Sequence, residues 1–179
     1  MGKQDAYSVL QNDGTTIYLR ELTENDASEA YCEWLNDPIV NKYLETRETT
    51  IEDLKQYIRS KKENPNCLFF GVFLKENDKH IGNVKLEPID YKEKTSYFGM
   101  LIGEKEQWGK GLGTEATRLA VDYAFNVLHL KEIMLGVIAE NKAAIRVYEK
   151  TGFQIKRVNK KKIKHGSKLY DQIIMENRT

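Results

Sequence analysis

The chain has few of the residues that build metal centres or disulfide frameworks. Its two cysteines, Cys32 and Cys67, lie far apart and form no C-x-x-C pair. Its three histidines, His80, His129 and His165, show no metal-ligand spacing with each other or with the cysteines. We therefore expect no metal site and a reduced protein in the cytoplasm.

Long apolar segments and an excess of one charge are also absent. The sequence has no apolar N-terminal h-region and no run of 18 apolar residues, which predicts a cytoplasmic chain that does not span a membrane. Twenty-eight Lys and Arg face 27 Asp and Glu, a net charge of +1, so no broad basic face favours nucleic acid. The local exception is the basic run 156–168, which fits either a solvated hairpin face or a patch for an anionic ligand.

The order of periodic segments predicts one α+β domain over residues 1–179, because no linker, repeat or low-complexity segment divides the chain. Strand-like runs occupy 16–22, 67–74, 80–89, 95–103 and 132–138, with a terminal hairpin of 153–158 and 168–176. Helical periodicity follows the cap candidates Thr23 and Thr50 and recurs over 112–128 and 141–152. Together these segments predict flanking helices around one central mixed, mostly antiparallel, twisted sheet of about seven strands, with a parallel crossover in 95–138.

Three glycines at alternate positions, Gly109, Gly111 and Gly113, stand in the segment EQWGKGLGTEA just before a good helix. Each costs roughly 0.5–1 kcal/mol relative to alanine, so the backbone must turn tightly or admit a close ligand. A loop that opens a helix aims unpaired N–H groups and the positive end of the helix dipole at one point, which binds phosphate. Thr114 could add a hydroxyl and Lys110 a charge.

This segment fits neither common nucleotide motif. The Walker pattern G-x-x-x-x-G-K-[ST] is absent because no Lys-Ser/Thr pair follows the glycines, and G-x-G-x-x-G fails because Glu115 and Ala116 occupy the place of a third spaced glycine. No G-x-S-x-G elbow occurs either, which argues against a Ser–His–Asp hydrolase. The segment therefore predicts a pyrophosphate site that belongs to neither nucleotide family.

Two motifs make the chain resemble the GNAT superfamily of N-acetyltransferases. WGKGLG matches the signature [Q/R]-x-x-G-x-[G/A] except at Trp108, where Gln or Arg is usual, and NKAAIRVYEKTGF (141–153) matches N-x-x-[A/S]-x-x-x-Y-E-K-x-G-F. With a tryptophan at this motif position, the chain is similar to the subgroup of ribosomal-protein and amino-sugar acetyltransferases. The resemblance covers a core of about 16–176. It implies a single GNAT-like domain, acetyl-CoA as co-substrate without a metal, and direct transfer to a primary amine, and it leaves a homodimer open.

The resemblance also assigns cofactor and catalytic residues. It places the pyrophosphate on the amides of Gly109–Thr114 and the pantetheine on the free edge of a fourth strand that splays from the fifth. The implied cofactor-binding residues are Leu101, Ile102, Gly103, Trp108, Gly109, Lys110, Gly111, Leu112, Gly113, Thr114 and Asn141. Tyr148 is implied as the general acid that protonates the departing thiolate.

The general base is not assigned in the same way. Relatives that acetylate protein N-termini carry a glutamate where this chain has Gly136, and other relatives carry one where it has Tyr97. Glu87, Asp90, His80 and a water chain all stay open as candidates. A missing strong base would matter less for an amine of pKa about 8 than for one near the lysine value of about 10.4.

The acceptor site in this family is built by the first two helices, their connecting loop and the last strands. We expect the acceptor to contact Trp34, Tyr43, Arg47, Lys85 and Glu87. These segments are similar to those of enzymes acting on nucleotide-linked amino sugars, with basic groups holding a diphosphate and an aromatic ring stacking on the sugar or base. A nucleotide-linked amino sugar is therefore the expected acceptor. The alternatives are an acetyltransferase of protein N-termini, of the ribosomal-protein type, and a CoA-binding sensor without catalysis.

Overall fold

Seven strands form one sheet in the order β1–β2–β3–β4–β5–β7–β6 in the computed structural model, which describes residues 16–44, 48–165 and 168–179. The strands are β1 (Ile17–Glu21), β2 (Leu68–Leu74), β3 (His80–Asp90), β4 (Thr95–Ile102), β5 (Glu132–Ile138), β6 (Gln154–His165) and β7 (Lys168–Arg178). All neighbouring pairs are antiparallel except β4 and β5, which are parallel. The predicted α+β fold with a mixed, mostly antiparallel sheet is confirmed.

The helices cover both faces of this sheet and bury a core on each. They are α1 (Glu29–Asn36), α2 (Ile51–Glu63), α3 (Leu112–Asn126) and α4 (Lys142–Lys150). Strand β2 lies between the two cores, because successive side chains of a strand point to opposite faces. Phe70 and Val72 pack in the core with α3 and α4, whereas Phe69 and Phe73 pack in the core with α1 and α2. No helix in the described ranges is long and apolar enough to cross a membrane.

The first helix begins later than its apolar pattern predicts. Thr23 caps only a short 3₁₀ turn (Glu24–Asp26), in which its backbone N–H donates to the Asp26 carboxylate at 2.7 Å. Helix α1 then starts beyond Ser28, whose hydroxyl accepts the Tyr31 N–H at 3.2 Å. Because Asp and Ser both compete for backbone N–H groups, the segment uses two caps in succession where the sequence suggests one.

The terminal hairpin is longer than predicted and carries the basic run on an outer strand. Strand β6 extends from Gln154 to His165, and most of its side chains are exposed. Two lysines of the run form ion pairs within the hairpin region, Lys156 with Glu132 at 2.8 Å and Lys160 with Asp171 at 2.8 Å. Most of the described part of the run therefore has the arrangement of a solvated hairpin face, but its Ile163 and His165 line the cavity of the candidate site.

Strands β4 and β5 separate partway along their length, and this gap positions the site. They pair only where Thr95, Ser96 and Tyr97 face Glu132, Ile133 and Met134. Beyond that point β4 continues along β3 as far as Ile102 opposite Gly82, while β5 continues along β7 as far as Ile138 opposite Gln172. The facing edges of β4 and β5 are therefore unpaired with each other beyond Tyr97 and Met134, and a gap separates them.

Candidate active site

The glycine segment forms a turn that opens helix α3 with bare backbone. Gly109 and Gly111 have φ angles of 77° and 82°, and Gly111 is the N-cap of α3. A side chain is rarely tolerated in this left-handed region. The space around both glycines is open, because a Cβ added to either would have no atom of a non-neighbouring residue within 4 Å. Within the described residues, no backbone N–H from Gly109 to Thr114 has a hydrogen-bond acceptor. The loop therefore presents an unsatisfied row of donors at a helix N-terminus, as an anion requires.

Trp108 joins this loop to the free edge of β4. Its indole Nε1–H donates to the Ile102 carbonyl at 2.8 Å, although 44% of the residue is exposed. The next loop cation, Lys110, donates to the Gln107 carboxamide at 3.2 Å. The tryptophan that departs from the usual motif thus holds the loop against the strand edge.

We expect Trp108→Phe to weaken CoA binding about three- to tenfold, because it keeps the ring but removes a hydrogen bond worth roughly 1 kcal/mol. Titration calorimetry with CoA measures the change. Tyr91→Phe is the control, since it removes a hydroxyl from another exposed ring, whose partner is the distant Pro65 carbonyl. An unchanged Kd for Trp108→Phe would show that the indole bond does not order the loop.

The gap between β4 and β5 opens into a cavity of about 680 Å³. Backbone and side chains of Phe98, Gly99, Met100 and Leu101 form its β4 wall, and Gly136, Val137 and Ile138 form its β5 wall. Of the expected pantetheine edge, Leu101 lines the cavity, whereas Ile102 and Gly103 lie beyond it. The backbone of Gly103 packs against the Trp34 indole, and a Cβ at this position would collide with that ring.

Tyr148 lines the cavity from helix α4. Its ring packs against Phe98 and Phe153, with centroid distances of 6.0 and 5.8 Å, and only 6% of the residue is exposed. Burial raises the pKa of the Tyr148 hydroxyl to about 12. In the described structure the hydroxyl has no hydrogen-bond partner, so it is a protonated, uncommitted donor at the cavity wall.

Asn141 is the N-cap of α4, the helix that carries Tyr148. Its Oδ1 accepts the Ala144 N–H at 3.2 Å and caps α4, and the residue also lines the cavity. Tyr43 reaches the same point from the loop after α1, where its hydroxyl approaches the Glu140 carbonyl at 3.4 Å. The motif asparagine therefore has a structural role that its sequence position does not reveal, beside the expected contact with the cofactor.

The far end of the cavity is aromatic and acidic. This end is formed by α1, α2 and the loop between them: Tyr31, Tyr43 and Tyr57 line it together with the acidic residues Glu48 and Asp53. The Asp53 carboxylate also accepts the backbone N–H and the hydroxyl of Thr50, at 3.0 and 2.7 Å. Lys85 also lines the cavity but is engaged: its ammonium donates to the Tyr57 hydroxyl at 2.9 Å and pairs with Glu87 at 3.0 Å. Burial alone would lower the Lys85 pKa, but these two contacts outweigh it and the pKa is raised.

Trp34, one of the expected acceptor residues, is not where that expectation requires it. Trp34 does not line the cavity; it is 7% exposed, and its ring packs on Gly103 and against His80 at 5.1 Å. It therefore offers no free face for stacking. Arg47 lies outside the described residues.

The candidate bases are also placed away from the cavity. Glu87 accepts two bonds from Lys61, at 2.8 and 2.7 Å, and although burial opposes ionisation, the lysines lower its carboxyl pKa and make it a weaker base. Asp90 accepts the Lys92 and Glu93 N–H groups in the turn after β3. His80 is enclosed by aromatic rings, and burial lowers its pKa.

The two positions without a glutamate differ in surroundings. Tyr97 is 43% exposed and outside the cavity wall. Gly136 is in the wall, but a Cβ there would lie 2.8 Å from Nε2 of Gln172, which also lines the cavity. Gln172 thus fills the space that a glutamate side chain at position 136 would need.

Several cavity residues are absent from the sequence-based assignment, notably Asn83, Tyr31, Tyr57 and Gln172. A signal exists for one of them: polar Asn83 and Lys85 alternate with buried Val84 and Leu86 along β3, which marks a polar strip on one face. The tyrosines carry no such signal, because their spacing in α1 and α2 is that of ordinary core positions.

Comparison with known proteins identifies similar chains. The family model described as "Acetyltransferase (GNAT) domain" matches residues 16–154. The probable N-acetyltransferase YjcK of Bacillus subtilis (strain 168) is 34% identical over 159 residues, 84% of this chain and 87% of that protein. Aminoglycoside N(6')-acetyltransferase type 1 of Klebsiella pneumoniae is 29% identical over 170 residues, 83% of this chain and 79% of that protein.

Two further similarities involve proteins named for spermidine. Spermidine N(1)-acetyltransferase of Escherichia coli (strain K12) is 42% identical over 74 residues, which span 41% of this chain and 39% of that protein. The solved structure of a spermidine N-acetyltransferase from Vibrio cholerae in complex with CoA and spermine superposes with a TM-score of 0.83 at 24% identity, covering 91% of this chain and 95% of that one. The latter match establishes a shared fold.

Proposed function

Because this chain belongs to the GNAT family of acetyltransferases, it is an N-acetyltransferase that uses acetyl-CoA as its co-substrate, and we propose that its acceptor is a small polycationic amine of the polyamine class. The GNAT resemblance of the two sequence motifs is thereby confirmed. The narrower assignment to ribosomal-protein and amino-sugar acetyltransferases is not, since the similar proteins of named substrate are spermidine and aminoglycoside acetyltransferases.

The observation that carries this proposal is the composition of the far end of the cavity. Two carboxylates, Glu48 and Asp53, and three tyrosines line it. Tyrosine faces attract ammonium groups, and Tyr57 and Tyr43 each already have a lysine Nζ within 5.5 Å of the ring centroid, with Lys61 at 5.1 Å from Tyr57 and Lys42 at 5.1 Å from Tyr43. An acceptor with several ammonium groups suits this surface better than an anion does.

The same surface argues against the nucleotide-linked amino sugar. Of the basic groups expected to hold its diphosphate, Lys85 already shares its charge with Glu87 and Tyr57 and lines the cavity together with the acidic residues Glu48 and Asp53. Of the two rings expected to stack on its sugar or base, Trp34 is buried, which leaves only Tyr43 in the cavity wall. The expected acceptor is therefore replaced by a cationic one, and nothing in the site favours a protein N-terminus or a sensor without catalysis.

At the transfer end, we propose that the loop amides of Gly109–Thr114 hold the pyrophosphate and that the β4 edge aligns the pantetheine. Acetyl-CoA supplies an activated thioester. The neutral amine attacks the thioester carbonyl, a C–N bond forms and the C–S bond breaks. Tyr148 gives its proton to the departing thiolate, and its raised pKa keeps that proton in place through the neutral range. The proton that the new amide nitrogen loses is taken up by water, from which the tyrosinate is protonated again. The acceptor amine approaches from the tyrosine-lined end, on the opposite side of the cavity from α3. A homodimer stays a prediction.

A thiol-release assay with acetyl-CoA tests the acceptor class directly. We expect the highest kcat/KM for spermidine or spermine among polyamines, an aminoglycoside, peptides with a free N-terminus and a nucleotide-linked amino sugar, with mass spectrometry locating the acetyl group. Highest activity on the aminoglycoside would move the assignment to that other polycation. Efficient acetylation of only the peptide or the nucleotide sugar would overturn the proposal.

Glu48→Gln should raise the KM for spermine about two- to fivefold without changing kcat, because one exposed charge contributes roughly 0.2–1 kcal/mol. Raising the salt concentration should reduce the difference between the variant and the wild type. The control is Glu52→Gln, which removes an exposed carboxylate from α2 outside the cavity wall. Equal KM values for both variants and the wild type would remove Glu48 from the acceptor site.

A further inference from the structure

We propose that His80 is a positioning residue that turns the Asn83 carboxamide so that its N–H₂ group faces the cavity, where it donates to the carbonyl oxygen of the acetyl group during transfer. The inference rests on the proposed transfer in this cavity. It assigns a function to two β3 residues, one of which sequence reasoning considers only as a base and the other not at all.

The hydrogen bonds of His80 fix the tautomer of its ring. Its Nε2 lies 2.9 Å from the Gly82 carbonyl and 2.9 Å from Oδ1 of Asn83. The Gly82 carbonyl can only accept, so Nε2 carries the proton. The carboxamide atom that faces this N–H must then be the oxygen, because an amide nitrogen there would place two donors against each other.

The ring of His80 cannot easily rotate away from this arrangement. It stacks on Phe73 with a centroid distance of 4.8 Å and an interplanar angle of 20°. The rings of Trp34 and Tyr31 meet it edge-on at 5.1 and 5.4 Å. Its Nδ1 is buried and has no partner among the described residues. A histidine held in this way is neutral and serves as a fixed donor, which excludes a role as the general base.

The orientation of Asn83 follows from that fixed donor. Asn83 is 5% exposed and lines the cavity. With its oxygen bound to His80, its Nδ2 points elsewhere, and Nδ2 has no hydrogen-bond partner among the described residues and is not among their fully enclosed polar atoms. An amide nitrogen without a protein partner that retains access to a cavity is available to a ligand.

The position of Asn83 selects which ligand atom it meets. It pairs in register with Leu101, one of the four β4 residues of the cavity wall. Tyr148 lines the same cavity from α4. In the proposed transfer the acetyl thioester lies between the strand edge and the tyrosine, and its carbonyl oxygen is the acceptor that gains negative charge when the amine attacks. A neutral N–H donor placed there stabilises that charge and needs no proton transfer.

Asn83→Leu tests this assignment, together with Asn83→Asp, which keeps the shape but replaces the donor by a carboxylate. We expect kcat to fall about 10²-fold in both, the usual loss for one donor to a developing oxyanion, with the KM for spermine and the Kd for CoA unchanged. A rise in the KM for spermine at nearly normal kcat would instead place Asn83 in acceptor binding and overturn the proposal.

His80→Leu tests the positioning role. We expect kcat to fall about tenfold, with the pH profile unchanged and Tm equal to or above that of the wild type, because a leucine suits the aromatic enclosure. His80→Gln returns an amide donor near Nε2 and should recover most of the activity. The double variant His80→Leu/Asn83→Leu should be no slower than Asn83→Leu alone, since one residue acts through the other.

The outcomes separate this inference from the proposed function. If Tyr148→Phe is impaired while Asn83→Leu keeps the wild-type kcat, transfer occurs in the cavity and only the present inference is wrong. If neither variant is impaired in an active enzyme, the cavity is not the site of transfer. A lost acidic limb of the pH profile in His80→Leu would identify His80 as a base, and a lower Tm without rescue by His80→Gln would reduce it to a packing residue; either result overturns the proposal.

Discussion

Tyr148→Phe is expected to lower kcat by about 10²–10⁴-fold while leaving CoA affinity unchanged, because it removes only the proton that the departing thiolate needs. The hydroxyl has no partner in the described residues, and the ring contacts with Phe98 and Phe153 are kept, so the variant should fold and melt like the wild type. Steady-state thiol release gives kcat, and calorimetry with CoA gives the affinity.

Tyr123→Phe is the matched control. Tyr123 is also a buried tyrosine, 4% exposed in α3, and its ring packs edge-on against Phe70 at 5.8 Å, but it does not line the cavity. Removing its hydroxyl should leave kcat unchanged. Wild-type turnover in folded Tyr148→Phe would reduce Tyr148 to a packing residue.

The pH dependence gives an independent check on Tyr148. Burial raises its pKa to about 12, so the proton is present at every pH at which the enzyme is assayed. kcat/KM should therefore rise with pH as the acceptor amine, with an ordinary pKa near 10, loses its proton. A descending limb between pH 7 and 9 that Tyr148→Phe abolishes would contradict the raised pKa.

Gly111→Val is expected to raise the Kd for CoA about 100-fold, equivalent to nearly 3 kcal/mol. Two physical effects combine: a β-branched residue disfavours the left-handed backbone that Gly111 adopts at φ 82°, and its side chain fills the open space before the unpaired amides. Calorimetry measures the Kd, and a thermal melt confirms that the variant is folded.

An alanine pair separates backbone strain from loss of the site. Gly152 has a similar left-handed φ of 93°, but it ends helix α4 beside the Asn177 carboxamide, away from the loop. Gly152→Ala should lower Tm and keep the CoA affinity, whereas Gly111→Ala should lower the affinity at least about tenfold at a comparable Tm cost. Wild-type affinity in folded Gly111 variants would remove the loop from CoA binding.

The elements that local patterns encode are the ones that sequence reasoning located. The glycine spacing before α3 predicted a bare-backbone loop, and positive φ angles at Gly109 and Gly111 agree with it. The capping box of Thr50 and Asp53 fixed the start of α2, because both partners lie within one helical turn. The strand alternation likewise predicted antiparallel neighbours, because only short segments connect β2 to β3 and β3 to β4. Each of these features depends on residues that are close along the chain.

The far end of the cavity could not be determined in this way, because burial and ion pairing there depend on distant segments. Trp34 looked like a binding aromatic, but Gly103, some 70 residues on, provides the flat backbone on which it packs. The sequence offered Glu87 as a candidate base, but in the fold Lys61 from α2 forms an ion pair with its carboxylate. Asn83 and His80 acquire a role only when α1 encloses β3.

The sequence by itself determined the family, through two motifs that resemble it. It also determined the order of the elements, the bare-backbone glycine loop and the presence of Tyr148 on a short helix, since these follow from spacing and from intrinsic backbone preferences. Only the tertiary structure decided which side chains meet around the gap between β4 and β5, and therefore that the far end of the cavity is aromatic and acidic. The physical reason is that desolvation and the pairing of charges are properties of a packed environment. A residue's position in the chain does not specify which groups remain unpaired after folding.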